Sequence, residues 1–231
     1  KTWTQCAVPV QSDLLAAHFP TPQAGWAVGH DGVVLHSSDG GKSWTKQLDG
    51  RISGEAFKKF YATQPTQAAV SVASAHIERN FKSGPTLPWL DVWFEDAERG
   101  FVVGSFGMIA ATVDGGKSWE PWLHRIDNDQ GLNLNSVRGV GRNVYIAGER
   151  GMVFKLDRER QRFRATATGY AGSFFGIVGK ADMLLAFGLR GVVYRSGDGG
   201  RTWEALKLPA GATVTAGSVR ADPEGFVLVN S

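Results

Sequence analysis

The chain has 231 residues, of which 42% are hydrophobic and 20% are charged, and these proportions are ordinary for a globular protein. Its formal charge of +3 is too small to indicate a nucleic-acid-binding surface. No apolar run reaches the ~18 residues that a membrane span requires. The only cysteine, Cys6, excludes an intrachain disulfide. The composition therefore predicts a globular protein that binds no nucleic acid and does not itself span a membrane.

Three segments align with one another without gaps, at 25–44, 100–119 and 184–203. Each contains G-x-x-G, an apolar strand and a final box, S/T-x-D-G-G-K/R-S/T-W. The box tryptophan always follows the first glycine of G-x-x-G by 15 residues. The aromatic residues that end the repeats, at 3, 44, 119, 163 and 203, are 41, 75, 44 and 40 residues apart. One repeat is thus about 40 residues, the size of one four-stranded propeller blade, and the gap of 75 holds one blade and roughly 35 extra residues. The repeat therefore predicts an all-β fold, a β-propeller of four-stranded blades with Asp-box turns.

Three further segments are incomplete copies of the repeat. Residues 145–163 keep both glycines and the final aromatic residue but have lost the Asp-Gly-Gly turn. Residues 1–3 match the end of a box, and residues 225–228 match the start of a repeat. We therefore expect residues 1–231 to form a single propeller domain with about five blades, apparently truncated at both ends.

The first full blade is expected at 14–47, with strands LLAAHF, GWAVG, VVLHS and SWTKQ. Gly29 and Gly32 suit a hairpin turn that needs positive φ. The box aspartate is expected to accept hydrogen bonds from its own turn, and the box tryptophan to pack against the blade. These structural box residues are Asp39, Trp44, Asp114, Trp119, Asp198 and Trp203.

The segment 50–88 interrupts the repeat and is expected to be a helical insertion between blades. One helix is predicted after Pro65, ending at Gly84 and Pro85, and a shorter helix in GEAFKKFYA before it. Loops of this length more often have a function than not. The alternative is a lid that only covers apolar surface.

Within each blade, the G-x-x-G turns and the insertion lie on one face and the Asp boxes lie on the other. Arg150 and Arg190 occupy the same repeat position, and paired guanidinium groups suit carboxylate or phosphate; ordinary surface charge is the alternative. We expect Arg138 to end an inner strand nearby. The arginine-rich segment 157–164 replaces a lost box and is expected to be a solvated turn. The predicted partner-binding residues are Arg150, Arg190, Arg138, Phe106 and Asp31.

No catalytic, cofactor or metal site is predicted. The chain lacks the nucleophile elbow and the H-E-x-x-H motif, and its five histidines do not have metal-ligand spacing. Two alternatives remain open. A sialidase-like glycoside hydrolase would use Asp91, Asp182 and Glu149. A lectin-like carbohydrate binder would stack sugars on Trp89, Trp93 and Trp122.

The box at 37–44, with GWAVGHDG before it, resembles the BNR/Asp-box superfamily. The combined pattern is most similar to the photosystem II stability/assembly factor-like proteins. The stretches YAGSFFG (170–176) and LAFGLRG (185–191) resemble the non-photosynthetic bacterial branch of that family.

This resemblance implies a propeller, usually of seven blades, without enzyme activity. It implies a scaffold that holds a membrane-protein partner on an arginine-bearing face. For the bacterial branch it implies an exported, periplasmic accessory factor whose partner is a membrane transporter or a subunit of a membrane complex. Two features depart from the family pattern, namely the insertion and the low blade number. The chain is therefore either a fragment or self-associates through its incomplete terminal blades.

Overall fold

The computed structural model describes residues 5–207, 213–221 and 225–230. These residues form eighteen strands and two α-helices. The strands make four antiparallel sheets of four strands each and one two-stranded sheet. The predicted all-β class and β-propeller fold are confirmed. The box end at residues 1–3 lies outside the described residues. The chain divides into two compact units, unit 1 up to His124 and unit 2 from Arg125.

Unit 1 contains two four-stranded sheets whose first strands pack against each other. Each sheet is a simple meander in which consecutive strands pair. The first sheet consists of β1 Leu14–His18, β2 Gly25–Gly29, β3 Val34–Ser37 and β4 Thr45–Leu48. The second consists of β5 Trp89–Phe94, β6 Gly100–Gly104, β7 Ile109–Thr112 and β8 Glu120–Pro121.

The core of unit 1 lies between these two sheets. All five residues of β2 are buried. The ring of Trp26 is fully buried and stacks on Phe94 with a centroid distance of 3.6 Å. Gly32 has the expected positive φ of 65°, but Gly29 is extended with φ −174°. Gly29 is required for a different reason, because a Cβ there would collide with the carbonyl oxygen of Asp13.

Two helices of equal length connect the sheets of unit 1, α1 Gly50–Ala62 and α2 Ala68–Asn80. The prediction of a shorter first helix was wrong, because the Asp49 carboxylate accepts a hydrogen bond from Ile52 N and starts α1 at Gly50. The second helix begins three residues after Pro65 and ends before Gly84. The buried side chains that anchor the pair are Phe57, Tyr61, Ala73 and Ile77.

Unit 2 contains two four-stranded sheets and one two-stranded sheet. The first is β9 Leu134–Val140, β10 Asn143–Gly148, β11 Met152–Asp157 and β12 Arg162–Ala167. The second is β13 Phe174–Lys180, β14 Met183–Gly188, β15 Val193–Ser196 and β16 Glu204–Leu206. The third is β17 Val214–Arg220 and β18 Gly225–Asn230. Strand β13 packs against both β9 and β17, so first strands are neighbours here too.

The arginine-rich segment forms the turn between β11 and β12, where the other four-stranded sheets carry a box. Arg160 pairs with Asp157 across this turn at 2.9 Å, and Arg158 and Arg160 are exposed. Residues 158–161 are therefore a solvated turn, as the charge pattern predicts. The prediction was wrong for 162–164, which begin β12, because Phe163 is buried and Arg162 pairs with Asp127 at 2.7 Å.

Candidate functional site

Each four-stranded sheet has two different ends. We call the end with the turn between the second and third strands the tip end. The opposite end, with the turn between the third and fourth strands, is the box end. The G-x-x-G turns lie at tip ends and the Asp boxes at box ends. This arrangement follows from the antiparallel meander, in which successive turns alternate between the two ends of a sheet.

The three box aspartates make the same set of hydrogen bonds. Asp39 accepts from Ser43 N at 2.9 Å, Ser43 Oγ at 2.6 Å and Ser37 Oγ at 2.8 Å. Asp114 and Asp198 accept from the equivalent groups of their own turns. These bonds close the turn, as expected for aspartate in a tight turn.

Hydrogen bonds from Ser43, and then from Ser37, lower the pKa of Asp39 to about 2. Burial opposes ionisation of Asp114, but the bonds from Ser118 and Thr112 outweigh it and lower its pKa. Bonds from Thr202 also lower the pKa of Asp198. A general acid needs a pKa near the working pH, so these carboxylates are suited to accepting hydrogen bonds and not to proton transfer.

The box tryptophans differ in their hydrogen bonding. The indole N–H of Trp44 donates to Gly41 O at 3.0 Å, and that of Trp203 donates to Gly200 O at 3.2 Å. The indole N–H of Trp119 is buried and finds no acceptor among the described residues. Trp119 instead contacts Phe94 edge-to-face.

The box turns also receive hydrogen bonds from the preceding sheet of the same unit. In unit 1, Gln47 Nε2 donates to Gly115 O at 2.8 Å, and Trp26 Nε1 donates to Gln47 Oε1. In unit 2, Tyr145 Oη donates to the equivalent carbonyl of Gly199 at 3.0 Å. Burial, and then Asp182, raise the pKa of Tyr145 to about 12, which keeps its hydroxyl a donor. The box ends therefore fasten neighbouring sheets together.

The tip ends share a strained backbone. Among the described residues, six non-glycine residues have positive φ, which is uncommon for side chains other than Asn and Asp. Four of these six stand at the same position of the four tip turns, with φ between 52° and 61°, and all four are exposed. They are Asp31, Phe106, Arg150 and Arg190.

One segment connects the two tips of unit 2. Gly151 N donates to Gly172 O at 2.8 Å, and Leu189 N donates to Ser173 O at 3.4 Å. Because the two accepting residues are consecutive, Gly151 and Leu189 lie roughly 10 Å apart. Arg150 and Arg190 are the chain neighbours of these two residues, and both side chains are exposed. The two arginines therefore belong to tip turns that contact the same connecting segment.

A cleft of about 380 Å³ opens beside Arg150. Arg150 Nη1 donates to Gln130 Oε1 at 2.6 Å. Met152 and Phe154 contribute apolar lining. Arg162 and Asp127, which pair at 2.7 Å, also line the cleft. The repeat pattern did not indicate Gln130 or Asp127, because both lie in the connection before β9, outside the repeat.

Arg138 lies elsewhere than predicted. It pairs with Tyr145 in the interior of β9, which runs on to Val140, so it does not end the strand. Its Nη1 donates to Val137 O at 2.7 Å. Arg138 is half-buried and lies towards the box end of its sheet.

In unit 1 the helices pack against both tips. Gly32 beside Asp31 approaches Gly50 at the start of α1 so closely that a Cβ on Gly32 would lie 2.9 Å from the Gly50 backbone. At the end of α2, Asn80 Nδ2 donates to Phe106 O at 3.1 Å. The carboxylate of Asp31 accepts from Ser12 Oγ at 2.6 Å. No pattern in the repeat signals the contact between Asn80 and Phe106.

The carboxylates proposed for a glycosidase have structural partners or lie far apart. Asp91 is buried and accepts from Val92 N. Glu149 accepts from Asn133 N and Nδ2 at a tip turn. Asp182 lies at the opposite end of the adjacent sheet, one strand of six residues away. That is about 20 Å at 3.3 Å per residue, beyond the ~10 Å limit for glycosidase pairs.

The tryptophans proposed for sugar stacking are mostly core residues. Trp89 is buried and donates to Gly32 O at 3.1 Å. Trp122 is buried against Phe101. Trp93 is half-buried beside His18. A sugar-binding aromatic residue needs an open ring face, which the first two do not offer.

Over the ranges that the structure describes, no cluster of three or more His, Cys, Asp or Glu is placed to hold a metal ion. In the same ranges, no helix has the length and hydrophobicity that crossing a bilayer demands.

The family model described as "Photosynthesis system II assembly factor YCF48" matches residues 1–62 and 80–231. The unmatched residues, 63–79, contain nearly all of α2. The chain is 33% identical over 135 residues to the photosystem II assembly lipoprotein Ycf48 of Synechococcus sp. (strain CC9902). That alignment covers 57% of this chain and 39% of the relative. The chain thus spans less than half the length of this curated relative.

Two solved structures show the same fold at low sequence identity. "YCF48 bound to D1 peptide" matches with a TM-score of 0.65 and 15% identity, over 96% of this chain and 64% of that one. An ancestral GH74 enzyme matches with a TM-score of 0.59 and 12% identity, over 90% of this chain and 26% of that one. At this identity the enzyme supports the propeller fold alone. The family match extends over most of the chain, and the protein belongs to the photosynthesis system II assembly factor YCF48 family.

Proposed function

We propose that this protein is a non-enzymatic assembly factor that holds a segment of a membrane-protein partner at its tip ends. The observation that carries the proposal is the pair Arg150 and Arg190, which occupy equivalent strained positions and are connected through 168–173. Family membership supports an assembly role. A related structure, that of YCF48 bound to a D1 peptide, supports a peptide segment as the ligand.

The geometry of the arginine pair suits an anionic segment. Each guanidinium offers five donors in a planar fork that matches a carboxylate. The backbone positions beside the two arginines lie within about 10 Å of each other, a span that a few residues of an extended segment cover. Tyr170 Oη, on the connecting segment, donates to Leu189 O at 3.4 Å, so this segment lies against the residue before Arg190.

The partner that we propose is a subunit of a membrane complex, with an exposed acidic segment or terminal carboxylate. Curated relatives are named as assembly lipoproteins, which supports placing this protein in an exported compartment, such as the periplasm. The alternative partners are a membrane transporter and a second copy of this chain. A capture experiment distinguishes both from a subunit of a membrane complex.

The capture experiment measures which membrane proteins the immobilised protein retains from detergent-solubilised membranes of its own organism. The tip variant is Arg150→Glu with Arg190→Glu. The control, Arg158→Glu with Arg201→Glu, makes the same charge change on exposed arginines at box ends of the same two sheets.

We expect the wild type and the control to enrich the same membrane-complex subunit, as quantified by mass spectrometry, and the tip variant to lose at least 90% of it. Equal capture by the tip variant would refute the proposed site. Enrichment of a transporter alone, or of this chain alone, would refute the proposed partner class.

A further inference from the structure

We infer that the helical insertion builds a second protein-contact site in unit 1, centred on Phe106, for an acidic partner segment that carries an apolar side chain. The inference rests on the proposed function only in that the ligand is a protein segment. The residues involved, Phe106 and Asn80, belong to unit 1, whereas the arginine pair belongs to unit 2.

Phe106 has an unfavourable backbone conformation and an unfavourable environment. Its φ and ψ are 54° and 38°, in the left-handed region where a Cβ crowds the following carbonyl. Its side chain is 53% exposed, so its ring also leaves much apolar area in water. The other residues at this repeat position are Asp31, Arg150 and Arg190, which are charged and readily solvated. Strain retained at an exposed position is a feature of ligand-contact residues.

The insertion holds this strained turn in place. The side-chain amide of Asn80, which is buried at the end of α2, donates to the carbonyl of Phe106 at 3.1 Å. Helix α2 is itself anchored by the buried residues Ala73 and Ile77, and its Glu78 forms an exposed ion pair with Lys58 of α1 at 3.3 Å. Almost all of α2 lies in the segment that the family model leaves unmatched. Asn80 itself is the first residue of the second matched range, so the helix that leads to it, and not Asn80, is the addition to the family pattern.

The insertion also carries the excess positive charge of the chain. Residues 50–88 contain five Lys or Arg and two Glu, a formal charge of +3. The remaining residues contain 20 basic and 20 acidic side chains, so they sum to zero. Two of the basic residues, Arg79 and Lys82, are exposed and stand one and two positions from Asn80. Glu78, also two positions from Asn80, pairs with Lys58 of α1 at 3.3 Å, so the end of α2 that contacts Phe106 carries a net positive charge.

An exposed aromatic ring beside basic side chains suits one kind of partner. Aromatic side chains at the centre of an interface contribute a large share of its binding energy. Complementary charge around them speeds association and selects against other partners. The combination favours a segment in which acidic residues flank an apolar one.

The experiment uses fluorescence anisotropy with three labelled probes. The first is a Glu-rich peptide with a central Leu-Phe pair. In the second, Lys replaces Glu, and in the third, Gly replaces Leu and Phe. The variants are Phe106→Ala and Asn80→Ala. Phe175→Ala removes another exposed phenylalanine, on β13, and is the matched control. Circular dichroism verifies that each variant is folded.

We expect the first peptide to bind the wild type at least tenfold more tightly than the other two. Phe106→Ala should weaken it at least tenfold and Asn80→Ala severalfold, whereas Phe175→Ala should bind within twofold of wild type. The double variant Arg150→Glu, Arg190→Glu should keep the tenfold preference for the first peptide over the peptide in which Gly replaces Leu and Phe, because that preference depends on Phe106 and not on the arginine pair. Equal binding by Phe106→Ala, or equal binding of the Lys-rich peptide, would overturn the inference. Phe106-dependent binding to phosphatidylglycerol vesicles without peptide binding would also overturn it, in favour of a lipid surface.

The outcomes separate the two proposals. Loss of the preference for the Leu-Phe peptide in the double arginine variant would show that there is no independent site at Phe106. Membrane-protein capture that is indifferent to Arg150 and Arg190, with Phe106-dependent peptide binding intact, would refute the proposed function and leave this inference standing.

Discussion

The box ends and the tip ends of the sheets are built from the same repeat but differ in how uniform they are. At the box ends, Asp39, Asp114 and Asp198 are identical residues with the same hydrogen-bond partners. At the tip ends, one repeat position carries an aspartate, a phenylalanine and two arginines, all strained and exposed.

The difference indicates that the structure requires particular side chains at the box ends but accepts different side chains at the tip ends. Three of the four box ends keep the same residues because their turns and the neighbouring sheets use them, and the fourth, between β11 and β12, closes its turn with Asp157 and Arg160 instead. Tip residues differ although they share one backbone conformation, so the fold does not dictate their side chains. Function on a repeat fold is therefore best sought where equivalent positions differ. Substitutions at the two ends should accordingly have different effects.

The largest expected effect is at the box ends. Trp26→Ala removes a fully buried ring that stacks on Phe94 and leaves Gln47 without its indole donor. We expect the free energy of unfolding to fall by about 3–5 kcal/mol, as for other buried aromatic truncations. Urea denaturation measures it. Phe106→Ala, an aromatic truncation at a tip, should change it by less than about 1 kcal/mol. Similar decreases in the free energy of unfolding of the two variants would contradict the expected difference between box ends and tip ends.

An intermediate effect is expected from pH. Asp39 has a folded pKa of about 2, below its ordinary value of 3.8. A lowered folded pKa contributes stability that is present above the unfolded value and is lost as pH falls through the folded value. The melting temperature should therefore fall steadily between pH 4 and pH 2. In Asp39→Asn, the melting temperature should fall less steeply between pH 4 and pH 2 than in the wild type. An unchanged slope in Asp39→Asn would show that the box carboxylate contributes nothing.

The smallest effect is expected at the tips and has the opposite sign. Arg190 has φ 61° and ψ 30°, a conformation that glycine adopts without strain. We expect Arg190→Gly to be more stable than Arg190→Ala by about 1 kcal/mol, measured by urea denaturation. Both variants remove the same charge, so both should lose partner capture alike. Equal stability of the two variants would show that the tip backbone stores no strain.

The repeat predicted most of the fold because its signals are local. The strand GWAVG matches β2 at Gly25–Gly29, and the positive φ of Gly32 follows from its place in a tight turn. The prediction for Gly29 was wrong, because its requirement comes from the backbone of Asp13 beside the neighbouring strand. A sequence shows that a glycine is needed but does not show whether the cause is conformation or proximity.

The contacts that shape the candidate site were beyond sequence reasoning. The bond from Asn80 to Phe106 spans 26 residues, and that from Gln47 to Gly115 spans 68. Polar side chains of this kind have no periodicity that would reveal their partner. The tip residues themselves were predicted from the repeat, because their equivalence is a matter of alignment. Their partner-binding role stays a prediction.

Hydrogen exchange on the complex tests most directly whether the tip ends bind the partner. The membrane protein captured in the pull-down is added to the purified protein, and exchange of backbone amides is compared with and without it. We expect slower exchange at the tip turns of unit 2, residues 149–152 and 189–192, with the box turns at 112–118 and 196–203 unchanged. Protection confined to the box turns would contradict the assignment of binding to the tip ends.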